Sequence, residues 1–285
     1  MPAGSPPSPP SQPLPASHVP AARLLWRDGS ASPGERTIPE ETPIALTYGR
    51  ATHAVMMATP ADLRDFALGF SLAEGIARRA GDIASLDIVP VPDGIELRMD
   101  LVPERQSGLT RRQRRITGPG GCGLCGMDSL AEALRPVPPV TADTVFTPAD
   151  IHAAQTAMPA AQHLNILTRA VHAAAFWTPA RGLIALREDV GRHNALDKLL
   201  GALVWAGIDA AEGLVLLSSR VSVEMVQKAA ILGAPVIVAV SAPTALAVRT
   251  AEASGLTLIG IARQDAFEVF THPNRIRTGA VSHVA

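Results

Sequence analysis

Along this chain the hydrophobic and polar positions change rhythm near the middle. In the first half, short β-rich runs at Pro43–Tyr48, Ala54–Ala58, Ile83–Val91 and Gly94–Leu101 alternate with polar turns. Between the second and third runs, Thr59-Pro60-Ala61-Asp62 predicts a helix that continues to about Arg78. Thr59 suits an N-cap, and Pro60 suits the first helical position, where no N–H is needed. Leu63, Phe66, Ala67 and Phe70 then fall on one face of that helix.

In the second half, apolar strands alternate with helices. Thr147-Pro148-Ala149-Asp150 opens a helix by the same cap logic. Val171–Trp177 and Gly182–Leu186 predict a hairpin closed by Thr178-Pro179-Ala180-Arg181. A helix from about His193 to Trp205 follows. Then come strand Gly213–Leu217, helix Val223–Leu232, strand Val236–Val240, helix Thr244–Ala253 and strand Leu256–Ile261. Fully apolar strands separated by helices imply a parallel sheet covered on both faces.

Proline and glycine divide the chain. Residues 1–20 hold eight prolines and no apolar run, so they read as a disordered Pro/Ser-rich tail. Residues 21–102 read as an N-terminal α+β domain. Residues 103–139 form a linker, and over its first part, 103–121, Arg105, Arg111, Arg112, Arg114 and Arg115 face one acid, Glu104. Residues 140–285 form the C-terminal α/β domain.

Composition narrows the function classes. The net charge of −1 gives no basic field for nucleic acid. Two cysteines in 285 residues cannot build a disulfide scaffold, so a reducing, cytoplasmic setting is expected. The tail lacks the apolar core of a signal peptide. Ala229–Val248 is uncharged over 20 residues, long enough to cross a bilayer. Gly233-Ala234-Pro235 and Ser241-Ala242-Pro243 interrupt it, so a buried strand between two helices is expected and no membrane association.

Ligands of parallel sheets bind beyond the carboxyl ends of the strands. Here those ends are Ser218-Ser219-Arg220-Val221-Ser222, Ser241-Ala242-Pro243-Thr244 and Arg263-Gln264-Asp265. Brought to one edge, they offer hydroxyls, arginine and helix N-termini to a phosphate, although each serine or threonine alone is explained by capping. The densest polar cluster is Glu188–Lys198. On a helix its His193 and Asp197 share a face, either as an acid–base pair or as a surface ion pair with Asp189 as cap. His172, in an apolar run, reads as a hydrogen-bonded core histidine.

Both cysteines lie in Gly-Pro-Gly-Gly-Cys122-Gly-Leu-Cys125-Gly. A structural zinc site needs further ligand pairs, and no histidine pair has the required spacing. A zinc deaminase needs His-x-Glu, and none of the eight histidines has Glu two residues later. A thioredoxin-like couple would follow a strand, whereas this pair follows a linker. Reversible Cys122–Cys125 disulfide formation stays open as a side reaction, and the last option is a nucleophilic thiolate on an arm, stabilised by nearby arginines and able to carry sulfur as a persulfide.

Cys-Gly-Leu-Cys-Gly, Val-His-Ala-Ala-Ala, Glu-Asp-Val-Gly-Arg-His-Asn-Ala-Leu-Asp-Lys, Ser-Ser-Arg-Val-Ser-Val-Glu-Met-Val-Gln-Lys and Val-Ser-Ala-Pro-Thr occur here in one order. Together they resemble the FdhD family of formate dehydrogenase accessory sulfurtransferases, over about residues 40–277. The resemblance implies a three-layer, cytidine deaminase-like C-terminal domain with a mixed sheet. It also implies sulfur taken from a cysteine desulfurase and delivered to the molybdenum (or tungsten) bis-pterin guanine dinucleotide cofactor, the cargo, before that cofactor enters the formate dehydrogenase catalytic subunit. Cys122 would carry the persulfide, with Cys125 assisting. Relatives imply a homodimer. The cofactor segment would be Ile261-Ala262-Arg263-Gln264-Asp265-Ala266, joined at the sheet edge by Arg220 and Ser241. This chain departs from the family at Arg169-Ala170, where glycines are usual, and at Asp265 and Ala266, where glycine and a basic residue are common. A cofactor-binding chaperone with dispensable cysteines is the alternative function.

Overall fold

The computed structural model describes residues 13–106, 137–263 and 265–277. The chain opens with an antiparallel hairpin, β1 (His18–Arg27) and β2 (Ser30–Pro39). Asp28 and Gly29 at its tip have φ of 50° and 77°, as a two-residue type I′ turn requires. Strand β1 thus begins at His18, inside the segment 1–20 that the sequence reads as a disordered tail, and residues 1–12 of that segment lie outside the described residues. β1 and β2 were not foreseen.

A four-stranded sheet follows: β3 (Thr42–Tyr48), β4 (Ala51–Ala58), β5 (Ile83–Val91) and β6 (Gly94–Leu101), in the order β4-β3-β6-β5. Its inward residues Ile44, Leu46, Ile95 and Leu97 are fully buried against helix α1 (Leu63–Ala73). That helix is shorter than the expected span to Arg78. It starts after Asp62, whose φ of 53° is left-handed, and Thr59 does not cap it. The polar groups of Thr59 serve tertiary partners instead, as described below.

The second domain is a six-stranded sheet. Helices α2 (Pro148–Ala161) and α3 (His163–Thr168) precede the hairpin β7 (His172–Thr178) and β8 (Gly182–Asp189). Then come α4 (Arg192–Trp205), β9 (Leu214–Leu217), α5 (Val223–Leu232), β10 (Val236–Ala239), α6 (Ala245–Ser254), β11 (Thr257–Gly260) and β12 (Glu268–Val269). The strand order is β12-β11-β10-β9-β7-β8. Only β9, β10 and β11 run parallel; β7, β8 and β12 pair antiparallel. The sheet is mixed rather than parallel throughout. Residues of α4, α5 and α6 pack on one face, and Ile151, Ala154 and Met158 of α2 pack on the other, which makes three layers.

Thr147 caps α2 as the sequence predicts. Its hydroxyl accepts from the Asp150 N–H at 3.2 Å, and the Asp150 carboxylate accepts from the Thr147 N–H at 2.7 Å. Replacing Thr147 by alanine removes one arm of this capping box. The expected loss in urea unfolding is about 1 kcal/mol.

Helix α1 joins the two domains by lying directly on α4. A Cβ built on Gly69 would fall 1.7 Å from the Asp197 carbonyl oxygen, and one on Gly201 1.9 Å from that of Asp65. Only glycine at both positions lets the helix backbones approach so closely. Arg187 of β8 adds a second link, pairing with Asp65 of α1 at 2.7 Å. The layers therefore stack as four-stranded sheet, α1, α4 with α5, six-stranded sheet and α2. Among the described residues, no helix is long and apolar enough to cross a membrane.

Candidate functional site

Strand direction brings the chemistry to one edge. The carboxyl ends of β8, β9, β10 and β11 and the amino end of β7 lie side by side. The N-termini of α4, α5 and α6 follow from those ends.

The loops there are stitched together. Val221, fully buried, donates its N–H to the Ala242 carbonyl and accepts from the Thr244 N–H at 2.9 Å. The Ile261 N–H reaches the Ser241 carbonyl at 3.2 Å, and the Ala262 N–H reaches the Ala239 carbonyl at 3.0 Å. Arg220, Ser241, Ile261, Ala262 and Arg263 thus share one edge, as the sequence implied. Arg220 and Arg263 are exposed, while Ala262 is buried. Gln264 lies outside the described residues, as do Cys122 and Cys125.

Ile261 has φ of 50°. A β-branched residue in the left-handed region is strained, and such strain persists only where the surroundings hold it; it gathers at functional sites. Gly260 beside it is required by space, because a Cβ there would meet the Pro243 ring at 2.9 Å and Phe270 at 3.0 Å. Asp265 and Ala266 are exposed. A 2.8 Å bond from the Arg263 N–H to the Ala266 carbonyl closes that turn.

The Glu188–Lys198 cluster is not a solvated surface. Asp189 is fully buried and does not cap α4; Gly191 occupies the N-cap. The Asp189 carboxylate meets Lys198 Nζ at 2.6 Å and accepts from the N–H groups of Thr59 and Gly191 and from the Asn194 amide. Lys198, also fully buried, donates to the Thr59 carbonyl at 2.9 Å. The Thr59 hydroxyl accepts from the Val190 N–H. One ion pair and one threonine thereby tie the end of β4 to the start of α4.

Asp197 is 1% exposed and pairs with Lys228 of α5, not with His193. Burial pushes its carboxyl up, against the opposing pull of Lys228. The carboxylate near His193 is instead Glu224, with Nε2 to Oε2 at 3.8 Å. That is ion-pair range. His193 first, then the Ser222 hydroxyl and the N–H at its own helix N-terminus, draw the Glu224 carboxyl down from 4.5 to about 2, against the opposing effect of burial. A depressed carboxylate stabilises the fold fully above its unfolded pKa and loses that contribution as pH falls through its folded pKa, so the window here runs from 4.5 down to about 2.

His172 is partly buried at the start of β7. Burial first, then Arg192 and His193, lower its pKa, which leaves the ring neutral at pH 7. Four buried atoms here lack a hydrogen-bond partner: Arg192 Nε, His193 Nε2, Asp197 Oδ2 and Ser222 Oγ.

Reading the sequence alone misses Thr59, Lys198 and Lys228, whose roles depend on partners distant in the chain. It also misses Val240 and Phe270, which are 42% and 37% exposed. Phe270 lies next to Gly260, and no local motif marks either residue.

Comparison with known proteins follows this geometry. A "Sulfur carrier protein FdhD" from Agrobacterium fabrum is 52% identical over 262 residues, covering 92% of this chain and 97% of that protein. One of the same name from Brucella abortus is 54% identical over 254 residues, covering 89% and 94%. In three dimensions the chain resembles a crystal structure from Desulfotalea psychrophila assigned as a formate dehydrogenase accessory protein. The TM-score is 0.73 at 26% identity, with 93% of this chain and all of that chain covered. The FdhD/NarQ family model matches residues 39–277, from the end of the hairpin to the end of the described sheet domain, and the chain belongs to that family.

Proposed function

We propose that this protein is a sulfurtransferase in the maturation of formate dehydrogenase. The thiolate of Cys122 attacks the outer sulfur of a cysteine desulfurase persulfide. The donor leaves as a thiolate, and Cys122 becomes the persulfide. The sulfur then passes, with Cys125 assisting, to the molybdenum (or tungsten) bis-pterin guanine dinucleotide cofactor, which is cargo for the formate dehydrogenase catalytic subunit. The setting is cytoplasmic and the assembly a homodimer.

The observation that carries this reading is the built edge around Ile261, a strained β-branched residue within the segment that the family resemblance assigns to the cofactor. Beside it stand Arg220 and Arg263 for phosphate charge, the N-termini of α5 and α6, and the Phe270 ring on which guanine can stack. Covalent geometry permits the delivery. Cys122 is sixteen residues after Gln106 and fifteen before Val137. At about 3.3–3.6 Å per residue, the two tethers reach at most about 58 and 54 Å. The second tether joins a segment held where Val140 bonds the Ser254 carbonyl, at the far end of a 10-residue helix and so about 15 Å from the edge.

Intact mass spectrometry after incubation with a cysteine desulfurase and cysteine tests the reading. One added sulfur is expected on wild type and Cys125→Ala, and none on Cys122→Ala. No added sulfur on any of the three, with the desulfurase active, favours the cofactor-binding chaperone instead.

A further inference from the structure

The hairpin β1–β2 is an arm held only at its foot. There the Glu40 N–H reaches the Ser17 carbonyl at 2.9 Å, and Arg36 donates to the Thr168 carbonyl of α3 at 3.1 Å. Each strand has ten residues and so rises about 34 Å. From Pro20 to Glu35 no residue is buried, and all but Ala21 and Leu25 are exposed. The register sets Leu24 opposite Pro33, Trp26 opposite Ala31 and Ala22 opposite Glu35, so one face of the arm is apolar apart from Glu35. Leu24 is 57% exposed. Trp26, beside the turn, is 70% exposed, the most of any large apolar side chain among the described residues. A two-stranded ribbon is marginal in water unless something covers it, and a bare apolar face marks an interaction surface.

A cavity that could receive the arm lies on the same chain. A cleft of about 440 Å³ opens at the foot of the arm, lined by Ser17 and His18, by Leu164 and Leu167 of α3, and by residues 183–188 of β8. β8 is the outer strand of its sheet, so among the described residues no further strand covers that side. Leu167 is 53% exposed. Leu24 and Trp26 stand six and eight residues beyond His18. At about 3.4 Å per residue they lie roughly 20–27 Å from that cleft, and a paired ribbon cannot fold back to reach it.

We infer that a second copy of this chain covers the arm, with Leu24 and Trp26 of each copy seated in the cleft of the other. Of the functional reading above, this rests on the homodimer alone. Knob and cleft are one arm length apart. Two copies whose arms run in opposite directions therefore make both contacts about one twofold axis, and no knob or cleft is left open to extend a fibre. The area suffices. One face of the ribbon, about 34 Å long and about 10 Å wide, covers roughly 330 Å². Two arms and the two surfaces beneath them bury roughly 1,300 Å², within the roughly 1,200–2,000 Å² of a stable interface. Charge agrees as well. Arg27 follows the knob, and Asp62 lines the cleft with its side chain 42% exposed and Arg187 no closer than 3.6 Å.

Sedimentation velocity of the full chain, from about 1 to about 100 µM, tests this. Wild type should sediment as a dimer. The arm variant Leu24→Glu/Trp26→Glu should associate about 100-fold more weakly or worse. It should keep the far-UV circular dichroism of the wild type, because both positions are exposed. The cleft variant Leu167→Glu should behave alike. Mixing the two variants should restore part of the association that neither shows alone, because the intact arm of one meets the intact cleft of the other. A dimer that the arm variant does not weaken would overturn the arm contact and leave the homodimer standing. An arm variant that dissociates while Leu167→Glu stays dimeric, or a mixture that restores nothing, would overturn the cleft as the seat of the knob. A wild type that is monomeric throughout would overturn both the inference and the homodimer, whereas sulfur loading of Cys122 is read separately by mass. If that monomer loads and its arm variant does not, the arm belongs to the cysteine desulfurase instead.

Discussion

Lys198→Met is expected to destabilise the protein by about 3 kcal/mol, measured as the loss of unfolding free energy in urea. Removing one member of a buried ion pair costs roughly 3–5 kcal/mol, because the other charge is left without compensation in a medium that solvates it poorly. Asp189 keeps three donors, the N–H groups of Thr59 and Gly191 and the Asn194 amide, so the lower end of the range applies. Methionine fills most of the volume of the lysine stem, so the cavity contribution is small. The origin of the effect is checked by Asp189→Asn in the same chain. With the stranded charge gone, the double variant should recover part of the loss. A single variant within about 1 kcal/mol of wild type would show that Asp189 is solvated in solution.

Gly69→Ala should cost as much or more, although it adds one methyl group to a good helix position. Over-packing in a core costs about 1–3 kcal/mol when side chains can move aside. Here the obstacle is the Asp197 carbonyl, 1.7 Å from the new carbon, and a backbone in the middle of α4 cannot rotate away. The helices must separate, which opens the layer between the two sheets. Gly201→Ala meets the Asp65 carbonyl at 1.9 Å and should behave alike. Because both substitutions act on the same contact, the double variant should cost less than the sum of the two. Additive effects, or a loss below about 1 kcal/mol, would contradict a rigid helix crossing.

Much of the fold was legible where local pattern and tertiary need agree. The apolar runs that became β3, β5, β6 and β9–β11 have only one good solution, and the Thr147 capping box is complete within four residues. The hairpin β1–β2 was not. Asp28-Gly29 is a strong turn signal, but the flanks Ala-Arg-Leu-Leu-Trp-Arg and Ser-Ala-Ser-Pro-Gly-Glu do not alternate. Thr59 misled for a different reason. A threonine before a proline is good cap chemistry, yet three partners from the other domain claimed its polar groups first.

The site was half legible. The loops after β9, β10 and β11 could be gathered on one edge from strand order alone. Which carboxylate answers His193 could not. Helical spacing nominates Asp197, but that group turns inward to Lys228, and Glu224 arrives from another helix. Spacing within one helix names the residues that share a face; it does not say which of them lies beneath the surface.

The bond from Lys198 to Thr59 spans 139 residues of chain. At a synthesis rate of about 5–20 residues per second, Thr59 is made roughly 7–28 s before its partner. Throughout that interval the glycine face of α1 and the polar end of β4 have been translated and α4 has not. The first domain therefore emerges with an apolar helix uncovered and a threonine unpaired. The interface between the two sheets is therefore completed only after residue 198 has appeared.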